Sequence, residues 1–113
     1  MAVYTTNIII YTGTSFEQTF ILADDPGENL LNLTGYSVIS KMKKHGTSSS
    51  VTLFTTTVTD ITGGRIRLSL TSNQTSQLSP GRYYYDLLLH KDNNTTRVIE
   101  GEVIVKKSVT RFD

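Results

Sequence analysis

Apolar and polar residues alternate along most of this chain, in seven runs separated by turn residues. A period of two puts successive side chains on opposite faces of a strand, so each run predicts a strand with one buried face. The runs span about 3–11, 14–23, 36–44, 51–59, 64–70, 81–91 and 95–106. The clearest is 64–70, with Ile66, Leu68 and Leu70 inward and Arg65, Arg67 and Ser69 outward. Phe16, Gln18, Phe20 and Leu22 share a face, as do Tyr36, Val38, Ser40 and Met42. Leu53 and Val58 are the expected apolar contacts of the fourth run, and Leu30, Leu31 and Leu33 suggest a short edge piece. In the last run Ile99, Val103 and Val105 lie on one face with Gly101 between them, which marks a bulge or a close backbone approach.

The intervening segments carry turn chemistry. Asp24-Asp25-Pro26-Gly27-Glu28-Asn29 is rich in residues that bond their own backbone, and Gly46-Thr47-Ser48-Ser49-Ser50 is a flexible loop. Lys91-Asp92-Asn93-Asn94 suits a hairpin turn with positive φ. After the fifth run, Thr71 or Ser72 caps a single helical turn that drops Leu78 onto the core. Pro80 and Gly81 then turn the chain into the sixth run, where Tyr83, Tyr85, Leu87 and Leu89 face inward. A Gly-x-Tyr opening the penultimate strand is how an immunoglobulin-type sandwich makes its tyrosine corner, so Pro80, Gly81, Tyr83 and Tyr85 are the expected corner residues. Together these features predict an all-β fold: an immunoglobulin-like antiparallel β-sandwich of about seven strands, with one short helical turn before strand six. It is read as one domain over 1–113, with 1–12 an assembly arm or edge strand. A small barrel is the alternative.

Composition narrows the function classes. The 113 residues suffice for one core, and a net charge of +1 gives no field that would draw nucleic acid or an anionic membrane. Lys41, Lys43 and Lys44 cluster before His45 and read as a solvated strand end. The absence of cysteine excludes disulfides, thiolate metal sites and a cysteine nucleophile. Residues 1–7 lack the basic start and apolar run of a signal peptide, and no stretch approaches the roughly 18 apolar residues of a membrane span. Synthesis in a cytosol without processing is the expectation.

Candidate chemistry is sparse. His45 and His90 are far apart and have no acidic or histidine partner at ligand spacing, and Asp24, Asp25 and Glu28 lack the alternating oxygen ligands of a calcium loop. Asp86, Glu100 and Glu102 resemble paired carboxylates, but on adjacent strands they are expected to answer Arg65, Arg67 or Arg97 across the ladder. Of the three consecutive tyrosines only Tyr84 points outward. No nucleophile elbow, phosphate loop or dinucleotide fingerprint occurs. The expectation is a non-enzyme with no catalytic residues, no cofactor and no metal.

Several motifs follow one another in a telling order: Gly13-Thr14-Ser15-Phe16, Asn32-Leu33-Thr34-Gly35-Tyr36, Gly64-Arg65-Ile66-Arg67-Leu68-Ser69-Leu70-Thr71, Leu78-Ser79-Pro80-Gly81-Arg82-Tyr83-Tyr84-Tyr85-Asp86-Leu87 and Glu100-Gly101-Glu102-Val103. In that order and spacing the chain resembles small immunoglobulin-like structural proteins of tailed bacteriophages over about 13–110. The resemblance implies a virion component of the tail, baseplate, neck or fibre attachment, made in the host cytoplasm. It implies contacts with other virion structural proteins, in multiple copies or as a homo-oligomer, and brings no catalytic residues. No fibre or receptor-binding region follows Asp113, so a stand-alone structural or adaptor subunit is expected.

The first run is more apolar than a solvent-facing edge strand needs. Tyr4, Ile8, Ile9, Ile10 and Tyr11, with Lys106 and Lys107 of the last strand, are therefore the expected interface, the alternative being a first strand buried between the sheets. Head decoration or a glycan-binding adhesion module is the other functional reading. It needs exposed aromatic rings in loops, and the loops at 24–29, 46–50 and 92–94 hold none.

Overall fold

The β-branched and aromatic runs form nine strands and one helical turn in the computed structural model, which describes residues 3–23, 29–44 and 51–110. The strands are β1 (Tyr4–Thr5), β2 (Ile8–Tyr11), β3 (Phe16–Ile21), β4 (Ser37–Lys43), β5 (Val51–Leu53), β6 (Thr55–Asp60), β7 (Arg65–Leu70), β8 (Gly81–Lys91) and β9 (Asn94–Lys106), with α1 (Ser72–Ser76) between β7 and β8. Residues 24–28 of the acidic loop, His45 and the Gly46–Ser50 loop lie outside the described residues. One sheet runs β1-β9-β8-β4-β5, with β2 also on β9, and the other runs β3-β7-β6. This is the strand order of an immunoglobulin-like sandwich with an added strand beside its C strand.

The inward faces meet in one apolar cluster. Ile66, Leu68, Leu87, Leu89, Val98 and Val103 are completely buried in it. Each such side chain contributes about 1.5–3 kcal/mol relative to exposure. Ser40 is also buried, and its hydroxyl donates to the Asp86 carbonyl at 2.6 Å, so the alternation of β4 carries no unpaired polar group into the core.

Three expectations need correction. The fourth run is two strands, not one. β5 pairs with β4 in the larger sheet, and the chain then crosses at Phe54 so that β6 pairs with β7 in the smaller one. The crossing residue faces both sheets, so Phe54 is buried while Leu53, the expected contact, is 55% exposed. The Phe54 ring lies 5.9 Å from Phe16 and 6.1 Å from Tyr85 between ring centres. The first run is likewise broken, at Thr6–Asn7, and both pieces pair parallel to β9, so the sandwich is not wholly antiparallel. The segment 30–33 is no strand. Only an isolated bridge joins Leu30 to Ala23, and Leu33 alone of its leucines is fully buried.

The corner is built stepwise. The Thr71 hydroxyl accepts from the Gln74 amide at 3.1 Å and the Gln74 side chain accepts from the Thr71 amide at 2.8 Å, a reciprocal cap on α1. Thr75 is buried beneath it and donates to the Thr14 carbonyl at 2.7 Å. Gly81 then adopts φ +144°, and the Tyr83 hydroxyl donates to the Ser79 carbonyl at 2.8 Å. At the other end of β8, Asp92 and Asn93 have φ of 53° and 64°, the pair of left-handed residues that a two-residue hairpin turn requires.

Candidate functional site

Two surface features stand out, and they share strand β9. The first is the edge made by β1 and β2. Its residues alternate: Ile8 and Ile10 point into the core with 1% and 2% exposure, whereas Ile9 and Tyr11 point outward at 53% and 48%. Ile8 and Ile10 are therefore core residues and cannot belong to an interface, which removes two of the seven expected residues. Tyr4 stays exposed opposite Ile99, and Lys106 is exposed opposite Tyr11, with Lys107 exposed just beyond.

The break in this edge has a specific cause. Gly101 faces inward opposite Tyr85, and the space a side chain would fill is taken by the Thr6 carbonyl. That carbonyl accepts from the Tyr85 hydroxyl at 2.6 Å, while the Thr6 amide donates to Glu100 O at 3.0 Å and the Asn7 side chain accepts from the Glu102 amide at 3.0 Å. Burial pushes the Tyr85 hydroxyl pKa up to about 12. Tyr85 thus acts as a pin between sheet and edge, a different task from the corner bond of Tyr83. Gly101 is the close backbone approach that its position in the sequence suggests; the bulge lies at Val98.

The second feature is the outer face of the larger sheet. Pairing places Lys43, Tyr84 and Glu102 in one row across β4, β8 and β9, and Lys41, Asp86 and Glu100 in the next. Val51 and Leu53 extend these rows on β5, at 43% and 55% exposure. The rows line an open concavity of about 850 Å³ with Tyr84, 49% exposed, at its centre. Arg97 lies 3.3 Å from Asp86 and 3.6 Å from Glu100, and Arg82 lies 3.6 Å from Glu102. Lys41 and Lys43 have no ion-pair partner among the described residues. The β4 side of the face therefore carries uncompensated positive charge, while the carboxylates on the β9 side share Arg82 and Arg97 in exposed pairs. Exposed pairs of this kind contribute up to about 1 kcal/mol each.

The sequence alone predicts a solvated strand end for the lysines and ladder partners for the carboxylates. Arg97 does answer Asp86 and Glu100, but the rows that set lysine, tyrosine and glutamate side by side depend on strand register. His90 sits at the far end of the same face, its Nδ1 2.7 Å from the Thr95 hydroxyl. Among the described residues no group of three His, Cys, Asp or Glu side chains is placed to hold a metal ion, and no helix is long and apolar enough to cross a membrane.

No curated protein matches the chain. The crystal structure of Listeria monocytogenes InlP contains a similar fold, with a TM-score of 0.50 and 20% identity over 89% of this chain and 26% of that one. The chain thus spans about a quarter of InlP, and the likeness concerns the β-sandwich alone. A family of β-sandwich domains accounts for nearly the full length: its model matches residues 3–106, from the edge strand β1 through the whole of β9. The chain belongs to the LtfC-like, beta-sandwich domain family.

Proposed function

We propose that this domain is a non-enzymatic structural component of a tailed-phage virion, a tail, baseplate, neck or fibre-attachment subunit that works by protein–protein contact. The ordered motifs from Gly13 to Val103 support the phage assignment. The observation that carries the contact role is the outer face of the larger sheet, where an exposed tyrosine stands among charged rows with exposed apolar residues on β2 and β5 at the flanks. An exposed aromatic ringed by charged groups, with apolar residues at the flanks, is the composition of a protein contact surface. The Ile9–Tyr11 edge adds a second contact strip, since unpaired backbone groups at a sheet edge can take a further strand. Repeated copies on a particle would make weak single contacts sufficient.

Mass spectrometry of purified particles of the phage that encodes the chain tests this reading. The chain is expected at a stoichiometry of several copies per particle and in a fixed ratio to other structural proteins. Its absence from intact, infectious particles would refute the assignment.

A further inference from the structure

We propose that the outer face of the larger sheet is a self-complementary dimer surface, and that its occupant is a second copy of this chain. The proposal rests on the reading of the domain as a protein-contact module, and it names the surface and the partner.

The argument comes from register. Lys43, Tyr84 and Glu102 form one row, and Lys41, Asp86 and Glu100 the next, with β8 in the middle of both. A two-fold axis lying along β8 between two facing sheets carries β4 of one copy over β9 of the other. Residues within a row stay level under that rotation. Lys43 of each copy then meets Glu102 of the other, and Lys41 meets Glu100. Each contact occurs twice, as a two-fold interface demands.

The remaining side chains suit the arrangement. Tyr84 falls on the axis and meets its own copy, which gives the interface an aromatic centre. Asp86 and Arg82, on the same face of β8, also fall near the axis opposite their own copies. Arg97, 3.3 Å from Asp86, and Glu102, 3.6 Å from Arg82, offset the charge of these facing pairs. Lys41 and Lys43 have no ion-pair partner within the chain among the described residues, so they are free for the partner's glutamates, whose own pairs with Arg97 and Arg82 are exposed and 3.6 Å long and leave carboxylate oxygens to share. Exposed Leu53 and Val51 on β5 come over Thr5 and Asn7 of the second copy and close one rim. An axis along β8 leaves the facing strands parallel, inside the roughly 30° within which aligned sheets pack face to face. The smaller sheet offers no comparable pattern, since β6 presents mainly threonine outward.

The symmetry supplies an unusually selective test. Lys43→Glu puts glutamate against Glu102 at both contacts, and Glu102→Lys puts lysine against Lys43 at both. In a mixture of the two variants, one copy carries both glutamates and the other both lysines, so both contacts become attractive. Sedimentation and native mass spectrometry of the purified chain are expected to show a wild-type dimer whose association weakens with salt. Each variant alone should lose association at least tenfold, and the equimolar mixture should recover a heterodimer. Tyr84→Ala should weaken association comparably, with an unchanged circular dichroism spectrum. A monomeric wild type at all concentrations, single variants that associate like the wild type, or a mixture of folded variants that stays monomeric would each overturn the proposal. None of those results bears on whether the chain is found in particles, so the two readings fail separately.

Discussion

Replacing Gly101 with alanine should destabilise the fold although strand propensity argues the opposite. Gly101 has no positive φ, and glycine within a strand ordinarily costs roughly 0.5–1 kcal/mol relative to alanine, so propensity alone predicts a gain. Space decides against it. A Cβ at this position overlaps the Thr6 carbonyl oxygen and lies 2.9 Å from the Thr6 carbonyl carbon and 3.1 Å from Asn7 Oδ1. Two of these three are backbone atoms, which no rotamer change can move aside. The edge must shift outward by about an ångström, and over-packing of this kind costs about 1–3 kcal/mol. The shift also pulls Thr6 from the Tyr85 hydroxyl, and a buried hydroxyl without a partner costs about 1–3 kcal/mol more. Against the propensity gain, a net loss of roughly 2–4 kcal/mol is expected, a large share of the 5–15 kcal/mol typical of a domain.

Urea denaturation of wild type, Gly101→Ala, Tyr85→Phe and the double variant measures it. Both single changes act on the Thr6 carbonyl, so the double variant should cost less than their sum by about 1 kcal/mol. Hydrogen exchange should speed up at the β1–β2 edge before the rest of the sheet. A stability within about 0.5 kcal/mol of wild type, or strictly additive costs, would refute the notion that Gly101 exists to admit Thr6.

The hydroxyl at the corner should behave differently. Tyr83→Phe removes a single bond to Ser79 O and is expected to cost about 1–2 kcal/mol by the same denaturation assay, without faster exchange at β2. Alkaline pH should weaken the fold through Tyr85. Its folded pKa is raised from 10 to about 12, so the stabilisation is fully present below pH 10 and is lost as the pH rises towards 12. The stability difference between wild type and Tyr85→Phe should therefore shrink across that window, by roughly 2–3 kcal/mol at 1.36 kcal/mol per pH unit, and a difference that stays flat would refute the burial argument.

Much of the fold was legible because alternation reports burial directly. The inward sets on β3, β4, β7 and β8 follow from a period of two, and the helical turn, corner and hairpin turn each follow from residues whose conformational preferences are strong. Alternation fails where one residue serves two sheets. Phe54 sits between Leu53 and Thr55 and looks like a slip in the pattern, yet it is the residue the crossing buries. Alternation also overstated the interface, because a run of three isoleucines is apolar on both faces. Only pairing with β9 reveals that Ile8 and Ile10 go inward and Ile9 outward.

The charged rows were the least legible feature, and the reason lies in a single residue. The Asp92–Asn93 turn sets Lys91 opposite Asn94, and counting back from it pairs Leu88 with Arg97. Continued unchanged, that count would set Tyr84 beside Gly101. At Val98 the ladder instead takes in one extra residue, Leu87 pairs with Ile99, and from there Tyr84 stands beside Glu102 and Asp86 beside Glu100. The same shift turns Gly101 inward to receive Thr6 and turns both glutamates outward. The sequence does carry a trace of it, since Val98 and Ile99 are adjacent apolar residues in an otherwise alternating run, and both are buried. One bulge therefore sets the edge pin and the charge pattern of the outer face together. Pairing Val98 with Leu87 in an unbroken ladder would exchange them both, sending Glu100 and Glu102 toward the core while Gly101 faced solvent. Deleting Val98 instead removes the extra residue, keeps Leu87 with Ile99 and Tyr84 with Glu102, and is expected to cost only the buried Val98 side chain.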